Sequence, residues 1–213
     1  MAGRSARVAA ICLSLACATG RPGAAARTPQ RLSGVVLDRD GAPISNATVI
    51  VRGPPGVRLT LNAGDDGKFS LVLYPGVYDV VARTGIGKDA PYAWERDVAL
   101  RSDAPVSLKL VAEPKVVPPE CRHRQLTPPA KVSGPDPYYT DEAWARKLEG
   151  TVKLKCILAV DGIVRGCLPV QSLSSLTESA IEAVEQRTYS PALCDGKPIE
   201  VDYTFRLQFR MPK

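Results

Sequence analysis

The chain has 213 residues, of which 45% are hydrophobic, and a formal net charge of +6 at pH 7. Three of its arginines and none of its acidic residues fall within residues 1–26, so the remainder carries only +3, with both signs dispersed along the sequence. This pattern argues against a nucleic-acid-binding patch, and the length suits two small domains.

Residues 1–26 have the order of an export signal peptide. Arg4 and Arg7 precede an apolar run at residues 8–18, which is too short to span a bilayer, and "AAA" at 24–26 offers a small-residue cleavage site. Lipoprotein processing at Cys17, in the context "LSLAC", remains a second interpretation. Both predict an exported protein, and export favours disulfide formation.

Residues 32–111 are predicted to form a β-sandwich. Seven short runs of alternating polarity are separated by turn signals such as "RDGAP", "PPG" and "GDDGK", and none has a helical period. We expect a seven-stranded, antiparallel Greek-key sandwich. In "VYDVVA", Tyr78, Val80 and Ala82 share one face, which is the expected core face.

The stretches "GVVLDRDGAPISNATVIVRG" and "DDGKFSLVLYPGVYDVVA" resemble the carboxypeptidase regulatory-like family, which has a transthyretin-like sandwich. The resemblance implies a non-catalytic module attached to an exported protein. Calcium binding by "DRDG" and "DDG" is an alternative, but Asp and Gly are also the residues that tight turns require.

Residues 112–137 contain seven prolines, which disfavour a long helix or a central strand. We interpret the segment as an extended linker. Because it offers few apolar residues, we expect the domains on either side to fold independently.

Residues 138–213 are predicted to form an α+β domain in the order helix–β–β–helix–β, with a three-stranded antiparallel sheet covered by helices on one face. Asp141 is the expected cap of the first helix. Ser175 and Glu178 have the spacing of a capping box for the second helix, which should end at Pro191.

The second helix and the last strand carry the clearest periodic patterns. Leu176, Ala180 and Val184 repeat every four residues, which predicts one buried stripe on the helix. Residues 199–209 alternate between apolar and polar side chains, which predicts a strand with one face in the core.

The run "CILAVDGIVRGC" predicts a hairpin that turns at Asp161 and Gly162. Counting outward from this turn sets Cys156 opposite Cys167, so a cross-strand disulfide is expected. A two-residue and a four-residue turn are both compatible with that pairing.

Two further cysteines of the mature chain, Cys121 and Cys194, are then left to form a second disulfide. A zinc site that combines them with His123 is the alternative.

The stretches "PYYTDEA", "EGTVKLKCILAVDGIV" and "LTESAIEAVEQRTYSPALCDGKPIEVDYTFRLQF" resemble the TonB C-terminal domain family. The resemblance implies a protein of the Gram-negative periplasm or outer-membrane face that binds an outer-membrane transporter and acts in energy-coupled transport. It further implies binding by β-augmentation, in which a partner segment pairs with the last strand. Glu200, Asp202, Thr204 and Arg206 are the outward residues expected to adjust the fit of the partner.

The short apolar run and the short linker argue against direct coupling to an inner-membrane motor. A structural envelope lipoprotein that binds proteins or glycans without energy coupling is therefore the alternative function. The sequence has no Ser/His/Asp order, HExxH motif or phosphate loop, so we expect no catalysis, and we expect no metal and no cofactor.

Overall fold

A computed structural model describes residues 28–54, 56–87, 90–114, 121 and 126–211. The predicted export signal with Cys17 and the histidine His123 lie outside the described residues. The described chain forms four stacked layers: two sheets of a sandwich, the sheet of a second domain, and a layer of helices. None of the described helices is long and apolar enough to cross a membrane.

The first domain is a β-sandwich, as predicted. Its strands are β1 (Gln30–Leu37), β2 (Thr48–Arg52), β3 (Arg58–Asn62), β4 (Lys68–Leu73), β5 (Gly76–Arg83), β6 (Tyr92–Leu100) and β7 (Val106–Val111). One sheet has the strand order β4-β1-β7 and the other has the order β3-β2-β5-β6.

One strand pair of the sandwich departs from the predicted antiparallel arrangement. β1 and β7 run parallel, with Leu32 opposite Val106 and Leu37 opposite Val111. The chain reaches β7 from β6, which lies in the other sheet, so no tight hairpin forces β7 to run against its neighbour. The other named pairs of this domain are antiparallel.

The C-terminal half of strand β5 is buried on both faces. Tyr78, Val80 and Ala82 are at most 3% exposed and lie in the core between the two sheets, which confirms the predicted face. Val81 points the opposite way and is only 1% exposed. It packs against Ile157 of the second domain, so the second domain covers the outer face of the four-stranded sheet.

The second domain is built around a three-stranded antiparallel sheet of order β11-β10-β15, and the predicted element order is confirmed. The main elements are α1 (Asp141–Ala145), β10 (Gly150–Leu158), β11 (Val164–Gln171), α2 (Thr177–Gln186) and β15 (Val201–Phe209). The short strands are β8 (Leu126–Thr127), β9 (Lys131–Ser133), β12 (Thr188–Tyr189), β13 (Ala192–Cys194) and β14 (Lys197–Ile199).

Helix α2 packs its predicted stripe onto this sheet. Leu176, Ala180 and Val184 are all fully buried, which confirms the helical pattern. The helix ends at Gln186 rather than at Pro191, because residues 188–189 leave it to form β12.

Both helices begin differently from the prediction. Thr140, rather than Asp141, caps α1, and its Oγ1 accepts a hydrogen bond from the Ala143 N–H at 3.2 Å. The capping box expected at Ser175 does not form, because Ser175 lies in a 3₁₀ turn that precedes α2. At α1, the side chain one residue before Asp141 bonds the free N–H group of the first turn. At α2, the 3₁₀ turn takes the place of the capping box.

The turn of the β10–β11 hairpin has three residues, so both predicted turn lengths are wrong. The Gly162 N–H donates to the Ala159 carbonyl at 3.0 Å, and the Ala159 N–H donates to the Ile163 carbonyl at 3.0 Å. Gly162 has a φ of +82°, which is the conformation that closes such a loop.

A three-residue turn shifts the strand register by one residue, and a bulge shifts it back. Next to the turn, Leu158 lies opposite Val164. Gly166, with a φ of +62°, is the extra residue in β11, and it restores the alignment of Cys156 with Cys167.

Both predicted disulfides are present. Cys156 bonds Cys167, with Cα atoms 4.1 Å apart, inside the core of the second domain. Cys121 bonds Cys194 across a sequence separation of 73 residues. These two sulfur atoms are therefore not available as zinc ligands.

Part of the predicted linker, residues 112–137, belongs to the second domain. β8 pairs with β13, and β9 pairs with β12. The disulfide at Cys121 attaches the segment to β13 as well. Proline spacing excludes a long strand but leaves room for strands of two or three residues, which the sequence pattern does not reveal.

Candidate functional site

Strand β15 has one paired edge and one open edge. Its partner is β10, in an unbroken register from Gly150 opposite Phe209 to Leu158 opposite Val201. No other strand of the described chain pairs with β15. In particular, β8 and β9 pair elsewhere, so neither of these two strands pairs with this edge.

The pairing of β10 with β11 shows which residues of β15 direct their N–H groups to the open edge. Pro169 of β11 lies opposite Leu154 and has no N–H, so this pair is not a hydrogen-bonded pair. Because backbone groups alternate along a strand, the next residue, Lys155, turns its N–H and C=O toward β11.

A buried arginine supports this assignment. Nη1 of Arg83 donates to the carbonyl oxygens of Lys155 at 3.2 Å and of Gly166 at 2.9 Å, so the Lys155 carbonyl lies on the β11 side. Lys155 pairs with Thr204 of β15. Thr204 therefore directs its N–H and C=O away from β10, to the open edge.

The side chains of β15 follow the predicted alternation. Phe205 and Leu207 are buried, whereas Thr204, Arg206 and Gln208 are exposed. The backbone groups of these three exposed residues all face the open edge by the same alternation. A partner strand would therefore pair with residues whose side chains are also accessible.

Two of the four predicted partner residues face the first domain instead. Both carboxylate oxygens of Asp202 accept hydrogen bonds from Nη2 of Arg83 at 2.9 Å. The Tyr92 hydroxyl donates to Oε1 of Glu200 at 2.8 Å. Burial, followed by the neighbouring Glu200, raises the pKa of Tyr92, so its hydroxyl keeps the proton that it donates. The sequence pattern did not predict these contacts with the first domain, because alternation along a strand shows which face is polar but not which part of the protein packs on it.

Arginines make most of the polar contacts between the domains. Nε of Arg165 donates to Asp79 at 2.7 Å, and Nη2 of Arg58 donates to the Cys167 carbonyl at 3.1 Å. Arg83 itself is 0% exposed. No sequence signal identified these residues, because an isolated arginine in a strand is usually solvated.

Glu185 is a buried carboxylate at the same interface. It lies 3.7 Å from both Arg52 and Arg58, and it accepts a hydrogen bond from the Cys167 N–H at 3.4 Å. Burial raises its pKa, and the nearby arginines oppose that effect only in part.

The acidic turns of the first domain serve as turns. Oδ1 of Asp38 accepts from the N–H groups of Asp40 and Ala42, and Oδ1 of Asp66 accepts from the Lys68 N–H. These carboxylates stabilise their own loops, which is the structural role that the Asp and Gly content predicted.

A surface groove of about 370 Å³ runs beside the C-terminal half of β15. Its walls include Asp136, Arg187 and the five consecutive residues 206–210. Consecutive residues line one groove only where the strand edge itself is accessible, since their side chains point to opposite faces.

These features define a two-domain protein in which a β-sandwich supports an α+β domain with an open strand edge. Residues 31–111 match the family model described as carboxypeptidase regulatory-like domain, and residues 135–211 match the model described as Gram-negative bacterial TonB protein C-terminal. Both suspected resemblances are thereby confirmed, in the expected order. The second domain is thus similar to the C-terminal domain of TonB proteins.

Two solved structures show distant similarity to the chain. A DUF3823 family protein from Parabacteroides merdae is 13% identical, with a TM-score of 0.31, over 78% of this chain and 98% of that one. The C-terminal fragment of the pilus adhesin SpaC from Lactobacillus rhamnosus GG is 12% identical, with a TM-score of 0.29, over 44% of this chain and 48% of the fragment. Among curated proteins, no sequence matches the chain.

Proposed function

We propose that this protein is a non-catalytic, exported envelope protein that captures an extended segment of a partner protein on the open edge of β15. The observation that carries the proposal is the unpaired edge itself, with the Thr204 N–H directed outward. An extended segment that pairs there satisfies backbone donors and acceptors on both chains. The periplasm-facing segments of outer-membrane transporters are the partners that the TonB-like domain suggests.

The position of the sandwich supports edge binding rather than face binding. Helices cover one face of the TonB-like sheet, and the sandwich contacts the other through Ile157 and Asp202. Since β11 lies at the other end of the sheet and carries Pro169, β15 offers the longer uninterrupted edge.

A scaffolding role without energy coupling is the second candidate. It is favoured by the linker, because the described part of residues 126–137 pairs within the second domain rather than spanning a distance. A lipid anchor at Cys17 would suit this role, and the predicted export signal would serve either one.

The test compares two variants of Thr204 in the full chain. Thr204→Pro removes one N–H from the open edge, while Thr204→Val keeps the N–H and a β-branched side chain. Both should remain folded, because proline is tolerated where its missing N–H faces away from the sheet. The binding probe is an array of peptides from the periplasm-facing segments of the host's outer-membrane transporters.

We expect peptides captured by the unmodified chain to be retained by Thr204→Val and lost with Thr204→Pro. Bound peptide should also slow amide hydrogen exchange at Thr204 and Arg206. Peptides that bind the folded proline variant unchanged, or an array that gives no capture and no amide protection, would overturn the proposal.

A further inference from the structure

The open edge of β15 is bordered by arginine side chains. Arg206 is exposed on the strand, and Arg210 follows directly after the strand ends. Nη2 of Arg210 donates to the side-chain oxygen of Gln208 at 3.0 Å, and both residues line the groove beside β15. Arg187 borders the groove from the opposite wall.

Two carboxylates lie near these arginines: Glu149, whose Oε1 accepts a hydrogen bond from the Met211 N–H at 2.6 Å, and Asp136 in the wall of the groove. Asp136 pairs with Arg187 at 2.6 Å and also with Lys131 at 2.7 Å, so this carboxylate is shared by two cations. Its pKa is lowered by the Lys131 hydrogen bond and by both positive charges, so it is ionised and already engaged. Within the described residues, Arg206 and Arg210 have no carboxylate at ion-pair distance.

The acidic residues at the start of β15 contact the first domain and do not reach the open edge. Arg83 takes both carboxylate oxygens of Asp202, and Tyr92 takes Glu200. Sequence alone gives β15 a mixed charge pattern. The docked sandwich engages the acidic end, through the Arg83 guanidinium at Asp202 and the Tyr92 hydroxyl at Glu200, and leaves the accessible end basic.

We propose that the partner segment is acidic, with Asp or Glu side chains placed to meet Arg206 and Arg210. The inference rests on the proposed function of the β15 edge and deepens it by naming the chemistry of the partner. Side chains on one face of a strand recur every second residue, so the two arginines lie about 13 Å apart along an extended chain. The matching acidic residues are therefore four positions apart in the partner.

The probes are three synthetic peptides with acetylated and amidated ends and the same alternating Thr/Val core. One carries two Asp residues four positions apart on one face, and the others carry Asn or Lys at the same two positions. Binding to the full chain is measured by fluorescence anisotropy. Circular dichroism confirms that each protein variant is folded.

The Asp peptide should bind about threefold to tenfold more tightly than the Asn peptide, and the Lys peptide should bind most weakly. The gap should shrink as salt rises from about 0.01 M to about 1 M, because the screening length falls from about 30 Å to about 3 Å. The double change Arg206→Gln and Arg210→Gln should abolish the gap. Arg31→Gln, an exposed strand arginine of the first domain, should leave it intact.

The outcomes separate the two proposals. Equal affinity of the three peptides, all lost with Thr204→Pro, would overturn the acidic preference and leave edge binding standing. An acidic preference that survives the double arginine change would also overturn the inference, since the charge would then act elsewhere. Binding that ignores Thr204→Pro, or no binding of any peptide, would overturn edge binding and the inference together.

Discussion

Replacing Asp202 with asparagine tests how strongly the two domains hold each other. In Asp202→Asn the Arg83 guanidinium stays buried but loses the negative charge that accepts two of its hydrogen bonds. Arg83 is 0% exposed, and the Asp202 side chain is 12% exposed, so water reaches neither group freely. Removing one partner of a buried pair costs about 3–5 kcal/mol.

The expected loss for Asp202→Asn lies at or below the lower end of that range, at about 2–3 kcal/mol in the free energy of unfolding. Asparagine keeps one acceptor oxygen, and Arg83 keeps its bonds to the carbonyls of Lys155 and Gly166. The removed charge also ends the 3.4 Å ion pair with Lys155, a smaller effect.

Urea unfolding of the full chain, followed by circular dichroism, gives the free energy and the m-value of each variant. The control is Asp103→Asn, an exposed residue in the turn before β7, which should change stability by less than about 0.5 kcal/mol. A loss below about 1 kcal/mol for Asp202→Asn, with the m-value unchanged, would refute the claim that this contact stabilises the docked arrangement.

Two further outcomes test other parts of the fold. Gly162→Ala should lower the free energy of unfolding by about 2–4 kcal/mol, because the new Cβ would overlap the Tyr189 carbonyl oxygen. Gly41→Ala is the control: Gly41 also has a positive φ but lies in open space, so the loss should be only about 1 kcal/mol. Equal losses in urea unfolding would contradict this. The ordinary pKa of a glutamate is 4.5, and the pKa of Glu185 is raised above it in the folded protein. The folded state therefore holds a proton that the unfolded state releases, so Glu185 should make the protein less stable as pH rises from 4.5 toward the raised pKa. The stability difference between the native chain and Glu185→Gln should therefore shift against the native chain as pH rises above 4.5, and a difference that is constant with pH would rule this out.

The hairpin shows how far local sequence signals reach. The Asp-Gly pair identified the position of the turn, and the two cysteines identified the correct cross-strand bond. The turn length and the neighbouring register were wrong, because two irregularities offset each other. Gly162 closes a three-residue loop and Gly166 adds a bulge, so the alignment of Cys156 with Cys167 survives both.

The interface between the domains was beyond the reach of sequence patterns. The alternation of residues in β5 correctly assigned Tyr78 to the core of the sandwich. It did not indicate that another domain packs against the opposite face, where Val81 lies. Apolar residues on the outer face of a sheet are common on protein surfaces as well. The expectation of independent domains was drawn from the linker, whereas the contacts lie between sheet faces far from it in sequence.

The sequence predicted the strand and the open edge of the candidate site, but it did not predict which charged side chains lie along that edge. The alternation of residues 199–209 gave the strand, and the family resemblance gave its open edge. The role of Asp202 depended on Arg83, which lies 119 residues earlier in the chain. Pairings at such distances follow from the docked domains and leave no periodic trace in the sequence.

The shared contact around Asp202 also limits how this protein can be recombined. The two domains have the appearance of separable modules, yet each completes the other: the sandwich supplies the cation for Asp202, and the TonB-like sheet supplies the carbonyls for Arg83. Grafting a different sandwich onto the same TonB-like domain would leave a carboxylate and apolar Ile157 without their cover. A chimera that keeps these contacts must therefore exchange the docking surface on both sides at once.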